Sequence, residues 1–502
     1  MWSFIISVLI LVAGYCFYGR FVEKVFGPDP SRQTPAIAKA DGVDFVVMPS
    51  WRVFMIQFLN IAGTGPIFGA VMGAKFGPSS YLWIVLGSIF AGAVHDYLSG
   101  MISLRKGGAS FPEVIGSQLG KGTERFVLAF TMVIMVLVGA VFVYSPAIIL
   151  GGLAGDGSMQ YTLLWCVVIF AYYVVATLVP VDKIIGKVYP LFAIALLFMA
   201  AGLSVVLFAK WPAIPEFWHG LGNRAGSVGV TGQAIFPCLF ITIACGAISG
   251  FHATQSPMMA RCMKSERIAR PGFYGSMITE GIVALIWAAV ASYFYFDGGA
   301  AEVGAEISAA APTIVTKVSR SWLGTFGGIL AILGVVAAPI TSGDTCFRSA
   351  RLTVAGLFKY DQRPLKNRLL ICIPLFIASG LLLWFNIADE NGFNIIWRYF
   401  GWINQTLSVF TLWAISVCLV KRRKGAAYLI AEIPALLMTI VTVTFILTQK
   451  IGFGLPPLLI LVLGRWFRVC VSHRSDVRAQ SGNALCPHGT GRLCHLSHSE
   501  NT

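Results

Sequence analysis

Stretches of about 20 apolar residues recur along almost the whole chain, each long enough to cross roughly 30 Å of hydrocarbon. Thirteen fall at 2–19, 51–74, 80–104, 124–151, 160–180, 188–209, 233–257, 273–296, 322–346, 368–388, 394–420, 428–448 and 454–470. In lipid, only a helix or a closed barrel satisfies every backbone amide and carbonyl. Continuous runs of this length, without alternation, predict helices. Composition agrees, because 57% of the 502 residues are hydrophobic and 12% charged, where a soluble domain carries about a quarter charged. The expectation is an all-α integral membrane protein: one transmembrane domain over 1–470, with 471–502 a disordered or atypical C-terminal tail.

The formal net charge of +15 raises the question of a nucleic-acid partner, and charge placement answers it. Thirteen spans put alternate loops on opposite sides. One set of loops holds most of the 37 lysines and arginines: Arg20 to Arg52, Arg105 to Arg125, Lys183 and Lys187, Arg261 to Arg270, Arg348 to Arg368, Lys421 to Lys424, and the tail. The other set is short or acidic, with Asp156, the 297–306 stretch and Asp389-Glu390. The positive-inside rule makes the basic set cytoplasmic, with the N-terminus outside and the C-terminus inside a bacterial cytoplasmic membrane. The lipid bilayer is therefore the expected partner, and nucleic acid is not. Residues 1–19 read as an uncleaved helix rather than a signal peptide, since Arg20 and Lys24 follow the apolar run and no A-x-A site does.

Two spans are interrupted. The first carries Gly63-Thr64-Gly65-Pro66 at its centre; the second carries Gly246 and then Ser249-Gly250-Phe251-His252-Ala253-Thr254-Gln255-Ser256. Irregular backbone at membrane depth survives only where it lines a cavity or a ligand. Paired interruptions at matching positions of two halves point to a transporter's binding site. Numbered from 51–74, the interrupted spans are the first and sixth, so 51–209 and 233–420 form two five-helix repeats. Five is odd, so the repeats are inverted. The fold class expected is a leucine-transporter-like 5+5 inverted repeat, with one extra N-terminal and two extra C-terminal helices.

At these residues the chain resembles the carbon starvation protein A (CstA) family of peptide and pyruvate carriers. The resemblance rests on Asp41-Gly42-Val43-Asp44 leading into Asn60-Ile61-Ala62-Gly63-Thr64-Gly65-Pro66, and on Gly92-Ala93-Val94-His95-Asp96. It continues through Gly250 to Pro257 and Thr341 to Arg351, in that order along about 1–460. It implies ion-coupled, proton-driven import of peptides or pyruvate during carbon starvation. Two departures stand out: Ala70 occupies the place of a second proline in a GP-x-x-GP pattern, and the chain from about Arg465 is unlike the family.

Each motif has its own chemistry. Amide groups at the start of the helix after Pro66 suit a substrate carboxylate, and Gln57, Asn60, Gly63, Thr64 and Gly65 are candidate substrate contacts there. Gln57 and Asn60 share a helix face at i, i+3. From the second break, Ser249, Gly250, Thr254, Gln255 and Ser256 are candidate contacts. His252 is a candidate proton carrier, because an ionisable group inside a span is a functional hypothesis by default. His95 and Asp96 are adjacent, so their side chains leave the helix about 100° apart; Asp96 is the leading carboxylate for proton coupling. Thr341, Ser342, Asp344 and Thr345 offer hard oxygen donors for a coupling cation, H+ or Na+. The competing reading is a local Asp344–Arg348 pair at i, i+4. Glu280, a turn or two into its span, reads as interfacial.

No G-x-x-x-x-G-K-[ST] loop occurs, so transport would draw on an ion gradient. The tail residues Cys470, His473, Cys486, His488, Cys494, His495 and His498 match no zinc spacing, and no metal or other cofactor is expected. Two alternatives to a carrier remain open. One is a membrane enzyme using a His-Asp pair, against which stands the mid-span position of that pair; the other is a transport-inactive nutrient sensor.

Overall fold

The computed structural model describes residues 1–456 apart from 155–157, 179–180, 231, 359, 363, 390–391 and 424. It divides into a unit over Met1–Phe445 and a second over Ile446–Thr502. Of the second unit only 446–456 are described: the last helical turn, closed by Phe453 N–H donating to the Ile446 carbonyl at 2.8 Å. The expected thirteenth span from residue 457 on, the 471–502 tail, Asp156 and Glu390 lie outside the described residues.

The first unit is helical. Its main helices are α1 (Trp2–Phe26), α2 (Ser50–Ile61), α3 (Gly65–Phe76), α4 (Ser79–Arg105), α5 (Lys121–Ala154), α6 (Met159–Leu178) and α7 (Val181–Lys210). They continue with α8 (Gly250–Ala260), α9 (Glu266–Phe296), α10 (Ala311–Phe358), α11 (Leu365–Ala388), α12 (Gly392–Lys421) and α13 (Gly425–Thr448), of which residues 446–448 belong to the second unit. Among the described residues 9 helices are long and apolar enough to cross a membrane, or up to 10 when the bent pair α2–α3 counts as one. This is a multi-pass membrane protein.

Two expected spans differ from simple rods, each for a local reason. Over 233–257, short turns at Ile235–Leu239 and Phe240–Thr242 precede α8, and the chain between them is non-helical. Neither half reaches membrane length alone. The 322–346 span lies within α10, which kinks at Gly324, whose φ of 66° is open to glycine.

Burial sorts the helices. In α9, 89% of the apolar window is buried, and in α4 83%, whereas α6, α7 and α11 bury 33% each. The peripheral helices turn residues such as Val167, Leu191 and Leu381 outward, as lipid contact requires. A proline within such a helix is tolerated where a neighbour supplies the lost donor. Pro146 cannot donate to the Phe142 carbonyl one turn earlier, and the Tyr173 hydroxyl does so instead at 2.9 Å.

Candidate substrate and coupling site

Both interruptions are real and they touch. Helices α2 and α3 meet at 54° across Ala62, Gly63 and Thr64. In the second break Ile243 and Ser249 leave helical geometry and Gly246 has φ of 89°. The two breaks approach so closely that a Cβ on Gly65 would lie 2.2 Å from Cys245 Cβ, and one on Gly246 would lie 3.5 Å from Pro66 Cα. At Gly65 only glycine permits that approach.

The freed backbone groups are satisfied from neighbouring helices, as an apolar medium demands. Trp83 Nε1 donates to the Ile243 carbonyl at 2.9 Å, Ser88 Oγ to Gly246 at 2.8 Å, and Gln405 Nε2 to Phe240 at 3.0 Å. Asn404 Oδ1 accepts the Phe251 N–H at 2.7 Å and the Ser249 hydroxyl at 2.9 Å. A residue of α12 thus caps the N-terminus of α8, a role normally taken by the chain's own N-cap side chain. At the first break, Ser342 Oγ donates to the Asn60 carbonyl at 2.9 Å, with Leu59 O at 3.2 Å.

A chain of titratable groups, each 0% exposed, connects α4, α8 and α9. His95 Nδ1 lies 2.7 Å from Asp96 Oδ1, and His252 Nδ1 lies 3.0 Å from Asp96 Oδ2. On its other side, His252 Nε2 is 3.5 Å from Glu280 Oε2. The adjacent pair His95–Asp96 does touch, because the imidazole nitrogen nearest the backbone reaches its neighbour's carboxylate. Glu280 is fully buried within the protein. Helix α9 begins at Glu266, before the apolar run does, so Glu280 sits near the middle of a 31-residue helix.

The remaining candidates divide into two groups. Gln57, Asn60 and Thr64 are buried at the first break, and both side-chain polar atoms of Gln57 and of Asn60, together with Thr64 Oγ1, have no hydrogen-bond partner among the described residues. Gln255 Oε1 is in the same condition. By contrast Thr254 and Ser256 spend their hydroxyls on α8 itself, Thr254 on Phe251 O at 2.6 Å and Ser256 on His252 O at 3.1 Å. Gly63 faces Phe142 and Ser342, and Gly250 packs on Leu407 and Ser408.

On α10, Thr341 and Thr345 bond to carbonyls of their own helix, while Ser342 reaches the first break. Asp344 Oδ2 accepts from the Tyr189 hydroxyl. Arg348 Nη2 donates to the Ala176 carbonyl at 2.6 Å, and its Nη1 lies 3.9 Å from Asp44. Arg351 is closer to Asp44, at 3.3 Å. Asp41 folds the preceding loop by accepting the N–H groups of Val43, Asp44 and Phe45 at 2.8–2.9 Å. The side chains of Lys183 and Lys187 and the tail cysteines and histidines lie outside the described residues.

The model of the family described as "Carbon starvation protein CstA" matches residues 1–162, 149–322 and 304–445. The chain belongs to this family. It is 27% identical to the peptide transporter CstA of Campylobacter jejuni, over 95% of this chain and 82% of that one. It is 28% identical to the pyruvate/proton symporter BtsT of Escherichia coli K12, over 58% of this chain and 49% of that one. An uncharacterized membrane protein of Haemophilus influenzae is 44% identical over 59% of this chain and 91% of its own length. In fold, the chain is similar to a manganese transporter of Eremococcus coleocola, with a TM-score of 0.55 at 12% identity over 86% of this chain and 95% of that one. A CstA-family sequence therefore adopts a fold shared with a known transporter.

Within this CstA-family chain, three site residues escape sequence reasoning. Glu280 was masked by the mismatch between helix start and apolar run. Cys245 resembles any small buried hydrophobe, and only its position one residue before a left-handed glycine marks it. Asn404 carries a usable signal, since Asn404-Gln405 is an amide pair inside an apolar span, where polar groups need partners.

Proposed function

We propose that the chain is a secondary carrier that imports a small carboxylate-bearing solute, pyruvate or a short peptide, driven by the movement of an ion, with the proton as coupling ion. The observation that carries this reading is the contact between the two helix breaks, with buried polar groups on one side and a buried His–Asp–His–Glu chain on the other. The unpartnered amides of Gln57 and Asn60 and the hydroxyl of Thr64 suit a solute that supplies the missing hydrogen bonds, because unsatisfied buried polar groups each cost about 1–3 kcal/mol. The α3 N-terminus supplies a partial positive charge for the carboxylate.

Asp96 is the centre of the proton path, since it alone contacts both His95 and His252, and Glu280 extends the path beyond His252. The α10 oxygens of Thr341, Ser342, Asp344 and Thr345 are the competing place for a cation, and sodium would use them. The architecture consistent with this mechanism is a leucine-transporter-like pair of five-helix repeats, in which the two broken helices sit at equivalent places. Loop charge orients the chain with its N-terminus outside a bacterial cytoplasmic membrane. Relatives that are peptide and pyruvate transporters support import over catalysis, and the family's name supports a role when carbon is scarce.

The test uses purified protein in proteoliposomes with an imposed proton or sodium gradient. Accumulation of pyruvate or of di- and tripeptides under the proton gradient is expected. Accumulation under neither gradient sinks the carrier reading, and accumulation under sodium alone moves the coupling site to α10.

A further inference from the structure

We propose that Cys245, His252 and Glu280 form a binding site for a borderline-soft divalent metal ion of the zinc class. Their ligand atoms, a thiol sulfur, an imidazole nitrogen and a carboxylate oxygen, all lie within 4.8 Å of one another, and all three residues are buried. The 3.5 Å between His252 Nε2 and Glu280 Oε2 is long for a hydrogen bond. It matches the ~3.4 Å expected between two donors on one tetrahedral ion with metal–ligand bonds of about 2.0–2.1 Å.

Three further observations fit a metal rather than simple packing. His252 Nε2 and Glu280 Oε2 are fully buried ionisable atoms turned toward each other and toward Cys245, an arrangement that is expensive unless a charge holds them together. His252 Nδ1 is held by Asp96 Oδ2 at 3.0 Å, which fixes the ring and leaves Nε2 turned toward Glu280. A carboxylate on the far nitrogen of a metal-binding histidine is the usual supporting contact for such a ligand. Asn404 Nδ2 lies 3.5 Å from Cys245 Sγ, placed to donate to the sulfur once it is a thiolate.

The donor set selects the metal. Sulfur and imidazole favour zinc, cobalt or nickel over magnesium, calcium or manganese, which prefer all-oxygen shells. Binding replaces the thiol proton, which leaves to solvent, so no electron transfer is involved. The ion would tie the second break to α9 and so hold the junction in one arrangement. The consequence drawn for transport rests on the carrier reading: an ion held there inhibits uptake, because His252 and Glu280 belong to the proposed proton path.

Cobalt is the probe, because a thiolate-to-cobalt charge-transfer band reports sulfur ligation directly. Full-length protein in detergent, carrying C470S, C486S and C494S to silence the tail thiols, is titrated with Co2+. A saturable near-ultraviolet band at one equivalent is expected, bleached by added Zn2+ and absent in Cys245→Ser. Asp96→Asn leaves all three donors in place and should weaken Co2+ binding about 10- to 100-fold. Glu280→Gln retains the thiol and should shift the band and lower affinity, which covers the case of Cys245→Ser failing to fold. No band in the parent protein, or an unchanged band in Cys245→Ser or Glu280→Gln, overturns the site. The cobalt readout needs no transport, so a band in protein that accumulates no solute keeps the metal site and defeats only the carrier.

Discussion

The junction of the two breaks can be tested by adding a single methyl group. In Gly65→Ala the new Cβ would lie 2.2 Å from Cys245 Cβ and 2.4 Å from its sulfur, where ordinary contact begins at 3.4 Å. One of the two segments must therefore move by about 1 Å, and both are anchored by the side-chain hydrogen bonds described above. Overpacking of this kind costs about 1–3 kcal/mol, equivalent to about a 5- to 150-fold loss in population of the closed junction. Gly73→Ala is the intermediate case. Its Cβ meets Ile243 Cγ1 and Cδ1 at 2.3 and 2.4 Å, the outer part of a side chain that can rotate away. Gly122→Ala is the control: it meets nothing within 4 Å, and in a helix alanine is favoured by about 0.5–1 kcal/mol. Initial rates of gradient-driven uptake in proteoliposomes, with thermal stability in detergent, should fall in the order Gly122→Ala, Gly73→Ala, Gly65→Ala. If Gly65→Ala matches Gly122→Ala in both measurements, the close approach of the breaks is not what the site depends on.

Asp96→Asn removes the carboxylate shared by two histidines, and at least a 10-fold drop in proton-driven uptake is expected, read as accumulation at matched protein incorporation. Uptake at the parent rate would remove Asp96 from the coupling path. Asn404→Ala strands the Phe251 N–H and the Ser249 hydroxyl; interhelical hydrogen bonds in membranes are worth about 0.6–1.7 kcal/mol, so a lowered unfolding temperature with reduced uptake is expected, and an unshifted one counts against the capping role. Outside the membrane, hydrogen bonds from Lys210 and Tyr293 hold the Glu302 carboxyl below its ordinary value of 4.5. A lowered folded-state pKa contributes stability that is present above 4.5 and disappears as pH falls through and below it. Glu302→Gln should therefore be less stable than the parent at pH 7, by no more than about 1 kcal/mol for a half-exposed pair, and equal to it near pH 3. A constant difference in unfolding midpoint between those two pH values would contradict this assignment.

What the sequence discloses here depends on the distance over which each feature is determined. Apolar run length is a local quantity imposed by the bilayer, so the span positions are legible wherever a helix is continuous. The breaks are legible too, because glycine, proline and small polar residues at mid-span have few other uses. Helix ends are less so. The Arg270-Pro271 stretch looks like a loop by charge, yet it is helical within α9, and that difference of a few residues moves Glu280 from near a helix end to the middle of one. The contact of Asp96 with His252 spans 156 positions, and no periodicity reports it. The same holds for the residues that make the breaks tolerable. Trp83, Ser88, Asn404 and Gln405 are ordinary members of unbroken helices, and they matter because tertiary packing places them against the free carbonyls and amides of Phe240 to Phe251. An interrupted helix in a membrane is therefore a property of its neighbours as much as of its own glycines. Moving the break along the sequence without moving α4 and α12 would leave several backbone groups unsatisfied, at several kcal/mol each.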